Sequence, residues 1–475
     1  MPVYIVKRQK SMLQFEKLGE NVLQIRKYID GADISFCDIS IGMKYMWRDY
    51  YVVDYAIVND TLIMKETAPD YANVFYYPFG SDVDGALSLI EEYCKANNIP
   101  LIFGCVDNQR ASELAERYNE VVIESDRDWD DYIYDAEKFK TYSGKKLSGQ
   151  RNHVNKFKRL YPNYEFKAMR IEDIPAVKNF ISEYENSKTL SDGAKDECER
   201  LNDYLDNMFN LEQVGGCLVV DGKIIAISIG EVVGETLIVH IEKALIEYSG
   251  AYPTMASEFA KAFAGQGVKY INREEDCGEQ GLRTSKLQYQ PIEIKDKNMV
   301  TVKTLFDKIT TPMYLKTERL TITDIDKADA QAYAKLYLDD DLNKWWGYDY
   351  REDLDGELPT PEHFYNFQNK MKMVKEEYAL AVKKDGVMVG ELVLHNFDYY
   401  GGVEMGFRFF KNCQGKGYAV ESASMLRDYC FNELGASVVK SRCYKQNLPS
   451  AKLITRLGLK KYKESDTHYF FKLSK

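Results

Sequence analysis

The sequence predicts a mixed α/β chain made of three successive units, each a mostly antiparallel sheet flanked by helices. Three observations carry this. Strand-like and helix-like hydrophobic periods alternate along the chain. Two hairpins turning on Asp-Gly, at 221–222 and 385–386, lie about 160 to 170 residues apart. The order of elements around those hairpins repeats, and a repeat of whole supersecondary units outweighs any single motif. At 475 residues the chain is also too long for one core.

In the first unit, about 30 to 125, the runs YYVVDYAIV (50–58) and TLIMKE (61–66) read as strands meeting at Asn59-Asp60. An amphipathic helix from about Asp82 to Ala96 stops at Asn97-Asn98-Ile99-Pro100, and LIFGCV (101–106) follows as a buried strand. The second unit, about 165 to 295, opens with a helix near Glu172-Asp173-Ile174-Pro175. The hairpin 215–233, the strand 236–244, a helix at 253–264, the strand 268–274 and a helix around 278–287 follow. The third unit repeats that order. A helix is expected near Asp324, the hairpin at 378–397, strands at 402–410 and 437–444, and helices at 417–434 and 450–458. Overlaying the second unit on the third pairs Glu242 with Glu404, and GLRTSKLQY with AKLITRLGLKKY. The stretch KDKNMVTVKTLFDKITTP (295–312) reads as a linker.

Composition narrows the function. At 45% hydrophobic and 29% charged residues this is the make-up of a soluble globular protein. No run of about 18 apolar residues occurs, so no membrane-spanning helix is expected. MPVYIVKRQKSMLQFEKLGE lacks the apolar core of a secretory signal, and the expected location is cytoplasmic. Nine cysteines stand singly, an odd number with no CxxC pair, which argues against a disulfide framework and against a structural zinc; no metal is expected. The net charge of −11 disfavours non-specific nucleic-acid binding by the whole molecule. Against that trend, Lys138 to Arg159 holds eight Lys or Arg and no acid.

The segment that carries chemistry is Gln414-Gly415-Lys416-Gly417-Tyr418-Ala419, between the strand 402–410 and the helix after it. Glycines let backbone N–H groups converge, and the helix N-terminus adds positive potential, so a pyrophosphate fits there with Lys416 as an added charge. This stretch resembles the acyl-CoA pyrophosphate loop of the GNAT acetyltransferases, Gln/Arg-x-x-Gly-x-Gly/Ala, met by Gln414, Gly417 and Ala419. NLPSAKLITRLGLKKY (447–462) resembles the second motif of that family, and TERLTITDID (317–326) resembles its ribosomal-protein N-terminal acetyltransferase branch. The resemblance covers 313–475 and implies acetyl-CoA as cosubstrate and a small-molecule or peptide amine as acceptor. It further implies that the backbone of Phe407, Arg408 and Phe409 pairs with the pantetheine arm, with Asn447 and Lys452 beside the cofactor. Ser450 is the implied donor to the leaving sulfur, with a helix N-cap as its alternative role. Glu404 is the implied base, with burial against backbone or Arg408 as its alternative. Trp345-Trp346 lies where such a fold builds its acceptor cleft, or else packs in the core.

Residues 1–300 resemble the C-terminal domain of phosphatidylglycerol lysyltransferases, itself two GNAT-like units, here about 1–130 and 131–300. The resemblance rests on DYIYDAEKFKTYSGKKLSGQRNHVNKF (131–157), IVHIEKA (238–244) and YINREEDCGEQGLRTSKLQYQP (270–291). The whole chain is thus read as tandem GNAT-like units. In that family the domain moves an aminoacyl group from a charged tRNA to a lipid head group. Here no membrane segment is seen, and Gly250-Ala251-Tyr252-Pro253-Thr254 stands where a pyrophosphate turn should be, so CoA is not expected in the second unit. Candidate substrate-binding residues are Arg151, His153, Glu242, Arg273 and Arg283; a fold-specifying ion network of Arg273 with Glu274, and of Glu242 with Lys243, is the alternative, and Glu275 and Asp276 are further polar residues a core would not choose. The basic stretch would suit a tRNA acceptor end, or be a solvated helix face. Three readings stay open for the front domain: uncertain activity beside an active acetyltransferase, aminoacyl transfer from tRNA, and a silent module that recruits substrate or partner.

Overall fold

In the computed structural model, residues 13–32, 36–187, 192–310, 312–347, 349–354, 356 and 358–475 are described. They form two compact units: Glu113–Val122 with Val302–Lys475, and the described residues up to Ser112 with Ile123–Thr301. Three mixed, mostly antiparallel sheets of eight, seven and eight strands are present. No helix among the described residues is long and apolar enough to cross a membrane.

The first sheet is built on the hairpin Val52–Val58 and Thr61–Ala68, which turns at Asn59-Asp60, both in the left-handed region. Helix Val83–Asn97 follows and ends on a left-handed Asn98 before the buried strand Leu101–Val106. The expected linker at 295–312 is not one. Asn298–Val302 is a strand of the first sheet, lying between Leu101–Val106 and Val121–Ser125. Leu305 and Phe306 are buried among the hydrophobic residues of the third sheet. Alternating apolar residues in this stretch are core contacts, which a solvated linker would not need.

The second sheet orders its strands as 293–295, 131–135, 270–272, 236–244, 223–233, 214–220 and 165–168. Helices Ile174–Ser187 and Asp192–Asn207 come before the hairpin, and Ala251–Phe263 follows the central strand. The third sheet repeats the plan, with order 314–316, 321–324, 377–384, 387–395, 402–409, 438–444, 468–474 and 460–464. Its first helix begins at Ala330 rather than near Asp324. Thr321–Asp324 is a strand, and Asp326 caps the turn by accepting from the N–H groups of Ala328 and Asp329. Helices Ala330–Leu338 and Pro361–Met373 cover one face over the first strands, with Tyr333, Tyr337 and Phe364 buried there. Helices Tyr418–Asn432 and Leu448–Arg456 cover the opposite face, against Val403, Met405, Val439, Cys443 and Phe471.

Candidate active site

The central strand Gly402–Phe409 and the parallel strand Val438–Tyr444 share register at only three positions, Gly402 with Val438 through Glu404 with Lys440. Beyond Glu404 the two strands part. Ser441 Oγ donates to the Met405 carbonyl at 2.9 Å where they separate. Both strands run the same way, so the turn after each leaves from the same edge of the sheet, flanking the opening. Sites in such sheets form at the carboxyl ends of diverging parallel strands.

The turn after the central strand is Lys411 to Gly417. Gln414 Nε2 donates to the Phe409 carbonyl at 3.0 Å, tying the turn back to its strand. Gly417 has φ 82° and is the N-cap of helix Tyr418–Asn432. A Cβ there would lie 3.2 Å from Arg319 Nη2, so a side chain would be strained in backbone and crowded in space. Among the described residues, none accepts from the N–H groups of Gly415 through Ala419, and Gln414 to Gly417 are exposed. Exposed N–H groups at a helix N-terminus are able to hold an anion.

Arg319 braces that turn. It donates from Nη1 to the Lys416 carbonyl at 3.2 Å and from Nε to Glu421 Oε2 at 2.7 Å. Glu421 also accepts from Thr317 Oγ1 and the Arg319 N–H. Partial burial raises its carboxyl, but these donors win and leave it below the usual range. Sequence reasoning passes over Arg319, although it sits inside the quoted segment TERLTITDID. Only the fold brings it beside a loop a hundred residues away.

Glu404 is nearly buried, accepts from Asn396 Nδ2 at 2.9 Å and pairs with Arg442 Nε at 3.2 Å. His395 lies directly across the ladder from it. Burial holds the His395 imidazole below its ordinary range, so it is neutral at pH 7. The indole of Trp346 comes within 3.3 Å of where a Cβ on Gly406 would stand. Trp345 contacts Tyr444, ring centres 5.6 Å apart, and Tyr444 contacts His468 at 4.1 Å. The tryptophans therefore stand beside Glu404 on the face opposite helices Tyr418–Asn432 and Leu448–Arg456. The Arg408 side chain takes another role: its guanidinium grips buried Glu391 at 2.8 and 2.7 Å beneath Trp346 and Tyr337. Phe409 is buried and Phe407 packs against the same core.

Asn447, not Ser450, caps the helix Leu448–Arg456, accepting from the Ser450 N–H at 3.3 Å. The cap role considered for Ser450 is thereby filled by its neighbour, and the Ser450 hydroxyl lies beside the Cys443 thiol. Lys452 is exposed on that helix.

The second unit repeats the parting strands, with Thr236 to Ile238 in register with Tyr270 to Asn272, and places an ion pair beside them. Glu242 and Arg273 pair at 2.8 Å, both nearly buried, with the guanidinium 4.4 Å from the Tyr289 ring centre. Burial raises the Glu242 carboxyl and Arg273 opposes that rise. Gly250 is pressed against helix Ser148–Leu160, so that a Cβ would lie 2.5 Å from the His153 carbonyl. The turn at 250–254 is therefore closed. Arg283 holds Asp276 and Asp128; Asp276, though pushed up by burial, is brought to about 2 by Arg283 and Tyr132. Arg151 donates to the carbonyls of Tyr142 and Gly144, and the His153 side chain is exposed. Of the five front candidates, the structure unites only Glu242 and Arg273.

Sequence reasoning singles out Glu274 and Glu275 but misses the buried knot around Lys297 that Glu275 joins. Lys297 Nζ lies 2.5 Å from Asp38, 2.8 Å from Asp131, 3.2 Å from Glu275 and 3.3 Å from Cys37 Sγ. Cys37, Asp131 and Glu275 have the mutual spacing of metal ligands, and the Lys297 ammonium sits among them. Beside it, buried His240 bridges Glu231 at 3.1 Å and Glu274 at 2.7 Å.

A family model described as phosphatidylglycerol lysyltransferase, C-terminal, matches residues 35–301. The chain belongs to this family. A second model, acetyltransferase (GNAT) domain, matches residues 319–460, and the chain is an acyl-CoA N-acyltransferase through that domain. A solved structure of a conserved protein of unknown function from Bacteroides thetaiotaomicron is 31% identical, with a TM-score of 0.58, across 62% of this chain and all of that one. The uncharacterized N-acetyltransferase YnaD of Bacillus subtilis is 25% identical over 150 residues, 31% of this chain and 84% of its own length. The uncharacterized N-acetyltransferase YjdG of the same organism is 29% identical over 153 residues, 30% of this chain and 88% of its own length.

Proposed function

We propose that the third unit transfers an acetyl group from acetyl-CoA to a primary amine by direct attack. The observation that carries this reading is the unpaired row of amides at Gly415 to Ala419, beside strands that part after Glu404. Bound acetyl-CoA supplies an acyl group already activated as a thioester. The chain supplies the rest. Gly415 to Ala419, the helix N-terminus and Lys416 hold the diphosphate; the backbone of Phe407 to Phe409, with Asn447 and Lys452, lines the path toward Glu404. Glu404 takes the ammonium proton, directly or through water, and Ser450 donates to the departing sulfur. Trp345 and Trp346 wall the acceptor side.

Gly417→Glu puts a carboxylate where phosphate should sit and is expected to abolish acetyl-CoA binding in a chain that still folds, with stability lowered by about 1–3 kcal/mol because of the strained φ. Unchanged acetyl-CoA affinity in that variant counts directly against the reading. A thiol-release screen across amino acids, peptides, polyamines and aminonucleosides identifies the acceptor class.

For the front domain a second reading is favoured by exposed Lys145, Lys146, Lys156, Lys158 and Arg159 on and before helix Ser148–Leu160. They suit an anionic partner such as the acceptor end of a charged tRNA. The alternative is a recruiting module with no chemistry of its own.

A further inference from the structure

The last 36 residues break the charge trend of the chain. From Lys440 to Lys475 there are ten Lys or Arg and two acids, in a protein of net charge −11. The register gathers several of these cations in one place. Lys440 lies directly opposite Lys472, and Lys472 directly opposite Lys460, so three lysines stand in one row across three neighbouring strands. Directly opposed residues share a face about 5 Å apart, and like charges there repel. Only Lys440 is neutralised, by Asp398 at 2.7 Å. Among the described residues no carboxylate pairs with Lys460, Lys463 or Lys472; Lys463 lies over Phe470 and Lys472 over Tyr462. Lysines on an edge strand guard it against pairing with another chain, but Lys472 stands on an inner strand between two other lysines, where opposed like charges cost stability, so the row points outward to an anion.

Its position says which. Glu404 shares register with Lys440 and contacts Arg442 on that same face. The helices of this side cover the early strands, and Leu448–Arg456 and Tyr418–Asn432 cover the other face. Among the described residues nothing packs over Arg442, Lys460, Lys463 and Lys472, all exposed. The row therefore leads from the proposed base to the sheet edge, three strand spacings or about 14 Å. That is about four residues of extended chain. The final strand, Lys460–Glu464, is an edge strand with an open backbone ladder.

We infer that the amine acceptor is the end of a polypeptide with acidic side chains in its first few residues, and that this uncovered lysine face docks it. A short acidic segment is favoured over nucleic acid because the row ends after three strands. The inference rests on the acetyl transfer proposed above.

The test uses the full chain with two peptides of identical first residue, one carrying Asp and Glu at positions 2–5 and one the matching Asn and Gln. Peptide binding is read by fluorescence anisotropy and turnover by thiol release from acetyl-CoA. The acidic peptide should bind and react about tenfold better, and lose that advantage as salt rises from about 0.05 to 0.5 M. The triple variant K460Q/K463Q/K472Q should raise KM for the acidic peptide about tenfold at unchanged kcat, and leave the neutral peptide untouched. Equal behaviour of the two peptides, or equal losses on both in the variant, overturns the inference. Tighter binding of a single-stranded oligonucleotide than of the acidic peptide overturns it in favour of nucleic acid. Thiol release with a small amine but no acidic preference sinks this inference alone, whereas acidic-peptide binding with no thiol release from any amine sinks the acetyl-transfer reading.

Discussion

Glu404 is fixed by Asn396 and Arg442 on the floor of the opening, with neutral His395 beside it. A group so placed can accept a proton without first reorienting. Glu404→Gln keeps the shape and removes the proposed base, so kcat should fall about 10²- to 10³-fold with acetyl-CoA affinity unchanged; steady-state kinetics beside direct binding separates the two. In the front unit, the Lys297 ammonium is shared by the carboxylates of Asp38, Asp131 and Glu275. Lys297→Met leaves those charges buried and uncompensated, and should cost about 3–5 kcal/mol in urea unfolding. His240 gives a pH dependence. Burial alone would lower its pKa, but Glu231 and Glu274 raise it to about 9, while burial lifts Glu274 to about 7. Both groups bind protons more tightly when folded. The stabilisation from charged His240 is complete below about pH 6.5 and lost as pH rises through 9. Ionising Glu274 erodes stability from about pH 4.5 to 7. The front unit should therefore lose stability steadily from about pH 5 to 9, and His240→Gln should flatten the upper part of that decline.

At the scale of elements, the same turn has two fates. In the third unit the loop before helix Tyr418–Asn432 is open, and a Cβ on Gly415 would meet nothing within 4 Å. In the second unit the equivalent Gly250 is clamped under the His153 carbonyl. Gly250→Ala adds a steric clash to an unfavourable φ and should destabilise by about 1–3 kcal/mol, clearly more than Gly415→Ala, as measured by thermal unfolding. The motif is legible because a pyrophosphate turn dictates its own glycines. The clamp is not, since helix Ser148–Leu160 approaches from a hundred residues away. The strands Lys460–Glu464 and His468–Ser474 escape a reading of the sequence because Lys-Lys-Tyr-Lys-Glu carries no buried face to set a period of two. Asn298–Val302 reads as a linker because one short strand between polar residues has no partner visible in sequence.

For the whole molecule, charge separates the parts. The acidic chain carries two basic regions, 138–159 and 440–475. If the first serves a charged tRNA, neutralising Lys145, Lys146 and Lys156 should weaken binding and reduce the salt slope by about one for each phosphate no longer neutralised. A filter-binding titration against salt decides it, and an unchanged slope leaves the recruiting module as the reading. Arg151 does not belong in that test, because its guanidinium holds the backbone at Tyr142 and Gly144.

The sequence by itself determined the repeated plan of sheet and helix, the two Asp-Gly hairpins and the glycine turn at 414–419. Each is set by local chemistry: hydrophobic period, turn residues, and the backbone freedom that glycine supplies. Only the tertiary structure decided that Arg319 braces the loop, that Arg442 pairs with Glu404, that Arg273 pairs with Glu242, that helix Ser148–Leu160 closes the turn at 250–254, and that Lys440, Lys472 and Lys460 fall in one row. Those pairings join residues far apart in the chain, and strand register, which a one-residue slip would invert, is fixed by the packed core rather than by any local signal.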